Sequence, residues 1–359
     1  RNDEKGHAMI RAVLPAWARD GIEARLPHWI DAAWWADEAD LIALAPDAQI
    51  GWFDMHIKPP ALEAISKARD LQWLSSAYAG VDWMPLADLK ARGKRVTLLP
   101  FLLMDVAPGN ALTDPYGAAE QAAYPWRGRI TCSPAPGQPG SPEGSGAAAV
   151  QVAAFVPGYR AMVLHYAQLA VAAGGVDAML IGSEMVGLSS VRGAGNSFPF
   201  VDALVTLAAN VRAIVGPATK LTYAADWSEY SGCQKNGAKF FHLDPLWASP
   251  DIDAVGIDCY MPLADWRDGE THADLALART GYELDYLAGN IERGEGYDWF
   301  YASEADRRAQ LRTPITDGAH GEPWIWRYKD IEAFWGQQHY DRPGGVRNAF
   351  PTAWAPGSK

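Results

Sequence analysis

Apolar and polar positions alternate along this chain with two different periods, and each change of period marks an element. Met9 to Leu14, Ala48 to Phe53 and Leu71 to Ser76 are short apolar runs with β preference. Between the last two, Pro60-Ala61-Leu62-Glu63-Ala64-Ile65 opens a helix with proline in the first turn, where its missing N–H costs least. A further helix is predicted from Met84 to Ala91, stopped by Gly93. This opening stretch reads as short βα units. Val96 to Asp105 is a nearly continuous apolar run closed by an acid, the pattern of a parallel strand buried on both faces. Val106 to Gly146 has no such pattern. It is rich in Pro, Gly and Ser and holds one aromatic and basic knot, Tyr124-Pro125-Trp126-Arg127-Gly128-Arg129. An irregular loop of this length usually carries function.

From Tyr159 the helical period is strong. Val163, Tyr166, Ala167 and Ala170 share a face, and Gly174-Gly175 ends the helix. Val176 to Ile181 is the next predicted strand, leading into Gly182-Ser183-Glu184. Val201, Leu204, Val205, Ala208 and Val211 mark a second helix, closed by Gly216-Pro217. Leu221 to Ala225 is a strand ending in Asp226, and Ala254 to Ile257 one ending in Asp258, with Tyr260 just beyond. Strand, helix and strand at this spacing predict a parallel sheet, open or closed into a barrel. There is no internal sequence repeat.

Composition narrows the function. The chain has 359 residues, room for two ordinary domains or one large barrel, with 49% hydrophobic and 21% charged residues, as in globular proteins. No apolar run approaches the ~20 residues of a membrane span, and Arg1 to His7 is polar, so neither a span nor a secretion signal is expected. The net charge of −12 without a basic cluster argues against nucleic acid. Cys132, Cys233 and Cys259 are widely spaced and odd in number, and are expected as reduced thiols. His56, His165, His242, His272, His320 and His339 form no ligand pattern, and His7 and His28 are no better placed, so the histidines are expected as structural or surface groups and no metal is expected. Gly193-Ala194-Gly195 lacks a third glycine and does not directly follow a strand, so no dinucleotide cofactor is expected. The 16 Trp and 14 Tyr fit either a core rich in aromatics or stacking surfaces for sugar rings, and composition alone favours the core.

Four predicted strands end in acids: Asp105, Glu184, Asp226 and Asp258. In a (β/α) barrel such ends share one mouth, where catalysis sits. An open parallel sheet also gathers ligands there. With Trp126, Trp227, Tyr230, Tyr260 and Trp266 in adjoining loops, these carboxylates suit glycoside hydrolysis. That reaction needs one carboxylic acid for the leaving oxygen, its pKa raised by burial and repulsion, and a second carboxylate as nucleophile or base. The competing reading is that strand-end acids accept orphan N–H groups of the next turn. It is the stronger for Asp105 and Asp258 and is even with catalysis for Asp226. It is weaker for Glu184, because Glu caps helices poorly and Gly182-Ser183 permits a tight strand exit.

From Lys94 onward the chain resembles the TIM-barrel-like domain of gene-transfer-agent and phage tail host-specificity proteins. The resemblance is carried by Val96–Asp105, Gly109-Asn110-Ala111, Asp114-Pro115-Tyr116-Gly117, Pro125–Cys132, Leu180-Ile181-Gly182-Ser183-Glu184, Tyr223–Tyr230, His242–Trp247, Gly256-Ile257-Asp258 and Thr313–Gly321. It implies a glycoside-hydrolase-like barrel over residues 94–359, with Glu184 at the acid/base position of retaining glycosidases. Asp105, Trp126, Asp226, Trp227, Tyr230, Asp258, Tyr260 and Trp266 are the expected substrate-binding residues. The implied setting is a phage or gene-transfer-agent tail made in the bacterial cytoplasm. The implied partners are a cell-envelope glycan and other tail or baseplate proteins.

Residues 8–93 resemble the N-terminal part of D-isomer-specific 2-hydroxyacid dehydrogenases, through Leu71-Gln72-Trp73-Leu74-Ser75-Ser76-Ala77-Tyr78-Ala79-Gly80-Val81-Asp82. There, backbone N–H groups near Gly80 and Val81 would hold a substrate carboxylate. The glycine fingerprint and catalytic Arg, Glu and His of that family do not follow, so the resemblance implies a fragment, and a chimera joined near Leu86–Gly93 is expected. The barrel family is expected to continue past Lys359 into a strand carrying the nucleophilic glutamate. The expected fold is therefore α/β, a partial (β/α)8 TIM-like barrel preceded by a flavodoxin-like βα lobe. The expected activity is glycan binding with little or no turnover. The rival readings are a structural tail protein without catalysis and a 2-hydroxyacid dehydrogenase fragment.

Overall fold

The computed structural model describes residues 9–55, 58–75, 85–93, 95–235, 237–269, 271–317 and 320–359. The chain divides into two compact units, Arg1–Val96 and Thr97–Lys359.

In the first unit, β1 (Ile10–Pro15), α1 (Arg19–Ile22), β2 (Ile30–Trp35), α2 (Glu38–Leu44), β3 (Ile50–Trp52), α3 (Lys58–Lys67), β4 (Trp73–Ser75) and α4 (Leu86–Ala91) follow in order. The strands form one parallel sheet in the order β2-β1-β3-β4. Val13, Trp35, Phe53, Ile65 and Leu71 are buried at its core. β2 and α2 had no counterpart in the pattern. Asp37 starts α2 by accepting the N–H of Asp40. Gly80 and Val81, the predicted carboxylate cradle, lie outside the described residues.

In the second unit a parallel sheet runs β10-β7-β6-β5, from β5 (Thr97–Leu98), β6 (Ala178–Ser183), β7 (Lys220–Asp226) and β10 (Gly256–Asp258). The barrel is not closed. The short antiparallel pair β8 (Cys233–Lys235) and β9 (Ala238–Phe240) stands between β7 and β10 in sequence. Helix α5 (Gly146–Ala172) is capped by Ser145, and α7 (Pro199–Val215) opens on proline and ends at Gly216, whose φ of 75° admits few other residues. Val163 and Ala167 of α5 and Leu204, Ala208 and Val211 of α7 are buried with Met179, Ile181, Leu221 and Tyr223 of the sheet.

One correction follows. The apolar run after Val96 is not a long buried strand. Pairing stops at Leu98, because Pro100 removes a donor and fixes φ, and Leu103 is 77% exposed. Two helical stretches, Gly146–Ala172 and Ala194–Val215, are long and apolar enough to cross a membrane by length and composition, although no span was expected. Their buried faces belong to the core just described.

Part of the tryptophan is core. Trp247, Trp324 and Trp354 are buried. Trp324 and Trp354 surround His339, which is fixed between Asp244 Oδ2 and the Phe334 carbonyl, both at 2.8 Å. His339 is thus a structural histidine, as expected.

Candidate functional site

Parallel pairing puts the ends of β6, β7 and β10 on one side of the sheet, so Glu184, Asp226 and Asp258 follow one another along that rim. Asp258 lies directly opposite Asp226 in register. Glu184 has φ of 53°, left-handed for a residue with a side chain, which costs about 1–2 kcal/mol. Such strain persists where surroundings fix it and is more common at functional sites. Here the Glu184 N–H donates to the Ala224 carbonyl at 2.8 Å, and the next amide, Met185 N–H, donates to the Tyr223 hydroxyl at 2.7 Å.

The long loop after β5 supplies what surrounds the Glu184 side chain. Trp126 Nε1 donates to Glu184 Oε2 at 2.9 Å, and Arg127 Nη2 reaches the same oxygen at 2.7 Å. Arg127 also donates to the Ser183 carbonyl and Oγ, and its guanidinium lies 3.9 Å from the centre of the Phe101 ring. Ser183 Oγ in turn donates to Asp258 Oδ2 at 2.6 Å. One chain of contacts therefore links Trp126, Glu184, Arg127, Ser183 and Asp258. Both donors fall on Oε2, so Oε1 lies outside this clamp. Glycine permits the close approach. A Cβ on Gly128 would meet the Trp126 ring at 2.4 Å, and one on Gly187, in α6 (Val186–Ser189), would meet the Gly128 carbonyl at 2.5 Å.

The other predicted residues divide. Asp226 accepts the Ser228 N–H and hydroxyl, the turn-anchoring role. The Trp227 ring meets Tyr328 at 4.9 Å. Tyr260 stands free at 71% exposure just past β10. Three of the expected residues lie in other surroundings. Asp105 is an exposed residue of the irregular run after Pro100 and ends no strand. Tyr230 is turned inward. It is buried against Phe334 and Trp335, and its hydroxyl donates to the Tyr328 carbonyl, because the turn after Asp226 directs it inward. Trp266 packs on His272 and Tyr286, amid the salt-bridged Asp265, Asp274 and Arg312.

Sequence reasoning missed the most isolated carboxyl. Glu229 is 1% exposed and accepts from Ser189 Oγ, the Tyr223 hydroxyl at 3.0 Å and the Asp226 N–H at 3.1 Å. Burial pushes it up to about 7, against the pull of these hydrogen bonds. His242 Nε2 lies 3.3 Å from the same serine hydroxyl, and burial, with Lys239 and Lys235 nearby, pulls that imidazole down to about 3. Ser189, His242 and Glu229 do not form a nucleophilic triad, because the acid binds the serine and not the imidazole. Arg127 and Ser183 were also missed. The aromatic and basic knot at residues 124–129 was the available signal for Arg127. No group of three or more His, Cys, Asp or Glu that could hold a metal occurs among the described residues.

The family model of the GTA TIM-barrel-like domain matches residues 157–359, more than half of the chain. No curated protein matches. Among solved structures, the crystal structure of TT0316 protein from Thermus thermophilus is similar at 16% identity, over 70% of this chain and 66% of that one, with a TM-score of 0.19. The chain thus spans just under two thirds of that protein, and so low a score carries no argument about the fold.

Proposed function

The chain belongs to the GTA TIM-barrel-like family and is a gene-transfer-agent-related protein, and from that premise we propose that its second unit binds a cell-envelope glycan as part of a phage or gene-transfer-agent tail. One observation carries the reading: Glu184, strained at a strand end, is held beneath the half-exposed Trp126 by that indole and by Arg127. An aromatic ring beside a fixed carboxylate suits a sugar, whose apolar face stacks while its hydroxyls donate. Glu184 is the catalytic carboxylate of this reading. Trp126, Asp226, Trp227, Asp258 and Tyr260 border the binding surface, and the nucleophile is unassigned. The test is hydrolysis and binding of purified envelope polysaccharide by the chain and by Glu184→Gln. The expected result is weak binding in both and loss of any residual hydrolysis in the variant. Hydrolysis unchanged in Glu184→Gln would remove its catalytic role.

A second reading, a structural tail protein without catalysis, is favoured by the same clamp. A carboxylate held through one oxygen by an arginine and an indole also serves to pin the long loop to β6. Absence of glycan binding with an intact fold would select it. For the first unit, the order β2-β1-β3-β4 supports the flavodoxin-like reading and is compatible with a dehydrogenase-derived fragment. Consumption of NADH with a 2-oxo acid would extend that reading to activity.

A further inference from the structure

A cavity of about 310 Å³ opens beside Glu229, with His242, Lys235, Ser231, Trp326 and Tyr328 in its wall. Ligand pockets run from about 300 to 1,000 Å³, so this one has room for a single small ring and not for an extended chain. Its charges are already settled. Lys235 Nζ is taken by Glu143 and by the Ser190 carbonyl. His242 is held uncharged at neutral pH by burial. Glu229 is surrounded by uncharged donors. Among the described residues of this wall an anionic ligand would find no free cation, and a cationic one would find only a buried carboxyl whose charged form burial disfavours. What remains in the wall is a set of hydrogen-bonding groups and two aromatic rings. Tyr328 also touches Trp227, which connects the cavity to the turn after β7.

We propose that this cavity is a subsite for one uncharged pyranose, with Trp326 and Tyr328 against the apolar face of the ring and His242 and Ser231 supplying its hydrogen bonds. The choice of a sugar over another neutral ligand rests on the glycan reading above. The whole chain is titrated by calorimetry with N-acetylglucosamine and methyl glucoside, and with glucosamine and glucuronate as charged counterparts of similar size. Cys233, a free thiol in the cavity wall, provides an independent readout. Its alkylation is followed by peptide mass spectrometry, with the exposed Cys259 as internal reference.

An uncharged sugar is expected to bind and to slow alkylation of Cys233 several-fold, leaving Cys259 unchanged. The charged counterparts should bind at least about tenfold more weakly, and Tyr328→Ala should weaken the uncharged sugar by a similar factor, about 1.4 kcal/mol. If Tyr328→Ala does not fold, protection of Cys233 in the unaltered chain decides. The proposal is overturned if no uncharged sugar binds or protects, or if the charged sugars bind equally well. Envelope polysaccharide binding with no single sugar protecting Cys233 would overturn this subsite and leave the glycan reading intact. Single sugars protecting Cys233 without any polysaccharide binding would do the reverse.

Discussion

Glu184 and Glu229 lie close to the same sheet end, one after β6 and one after β7, yet their surroundings are opposite. Glu184 meets a guanidinium and an indole from the loop after β5, in a conformation strained for any residue but glycine. Glu229 is wholly buried, meets only a serine, a tyrosine and a backbone amide, and is pushed up to about 7. The first carboxyl is fixed by a charge partner; the second has only uncharged hydrogen-bond partners. The contrast teaches that a strand-end acid is defined less by its place on the strand than by which distant segments close over it.

The largest effect should come from removing the charge partner of Glu184. Arg127→Ala leaves a buried carboxylate without its charge partner and the Ser183 carbonyl without its side-chain donor, and should cost roughly 3–5 kcal/mol in denaturant unfolding. A loss under about 1 kcal/mol, the range of exposed ion pairs, would mean that the clamp opens freely to water.

The next effect is one of pH. The folded value of Glu229, about 7, lies above its unfolded value, so the stability it contributes is full below about 4.5 and is lost as pH rises through 7. The loss is roughly 3 kcal/mol. His242 acts in the opposite sense. Its folded value of about 3 lies below the unfolded 6.5, so its contribution is present above 6.5 and lost as pH falls toward 3. Subtracting the stability profile of Glu229→Gln from that of the unaltered chain isolates the first slope. An identical slope in both would show that Glu229 is not the isolated carboxyl described.

Tyr223→Phe removes the hydroxyl that joins the two regions, accepting from Met185 N–H and donating to Glu229. About 1–3 kcal/mol of stability should be lost, together with any function that depends on the placement of Glu184. Smallest is Ser228→Ala, which removes one hydroxyl bond to Asp226 while the Ser228 amide keeps another. About 0.5–1.5 kcal/mol is expected, with glycan binding unchanged. A large loss of binding would make Asp226 a direct sugar contact and not a turn anchor.

The parts legible in the sequence are those where local and tertiary preferences agree. The helices α5 and α7 have long apolar faces and glycine ends, and β6, β7 and β10 are short apolar runs closed by acids. Pro100 shows the opposite case. The hydrophobic pattern around it asks for a long strand, but the backbone cannot pair through it. β2 was passed over because Asp31 and the paired Trp34 and Trp35 give no clean alternation. Glu184 was visible because a strand and two small residues precede it. Arg127 was not, because its partner is 57 residues away. Glu229 looks like a solvated turn residue. It is buried because Ser189 and Tyr223 converge on it from separate elements, and no local pattern announces that.

The central claim, that Trp126 and Glu184 together form a glycan-binding surface, is most directly tested by calorimetric titration of envelope polysaccharide into the unaltered chain and into Trp126→Ala, with melting curves for both. The account predicts measurable binding by the unaltered chain and its loss in the variant at nearly unchanged melting temperature. Equal binding by the two proteins, or none by either, would contradict it.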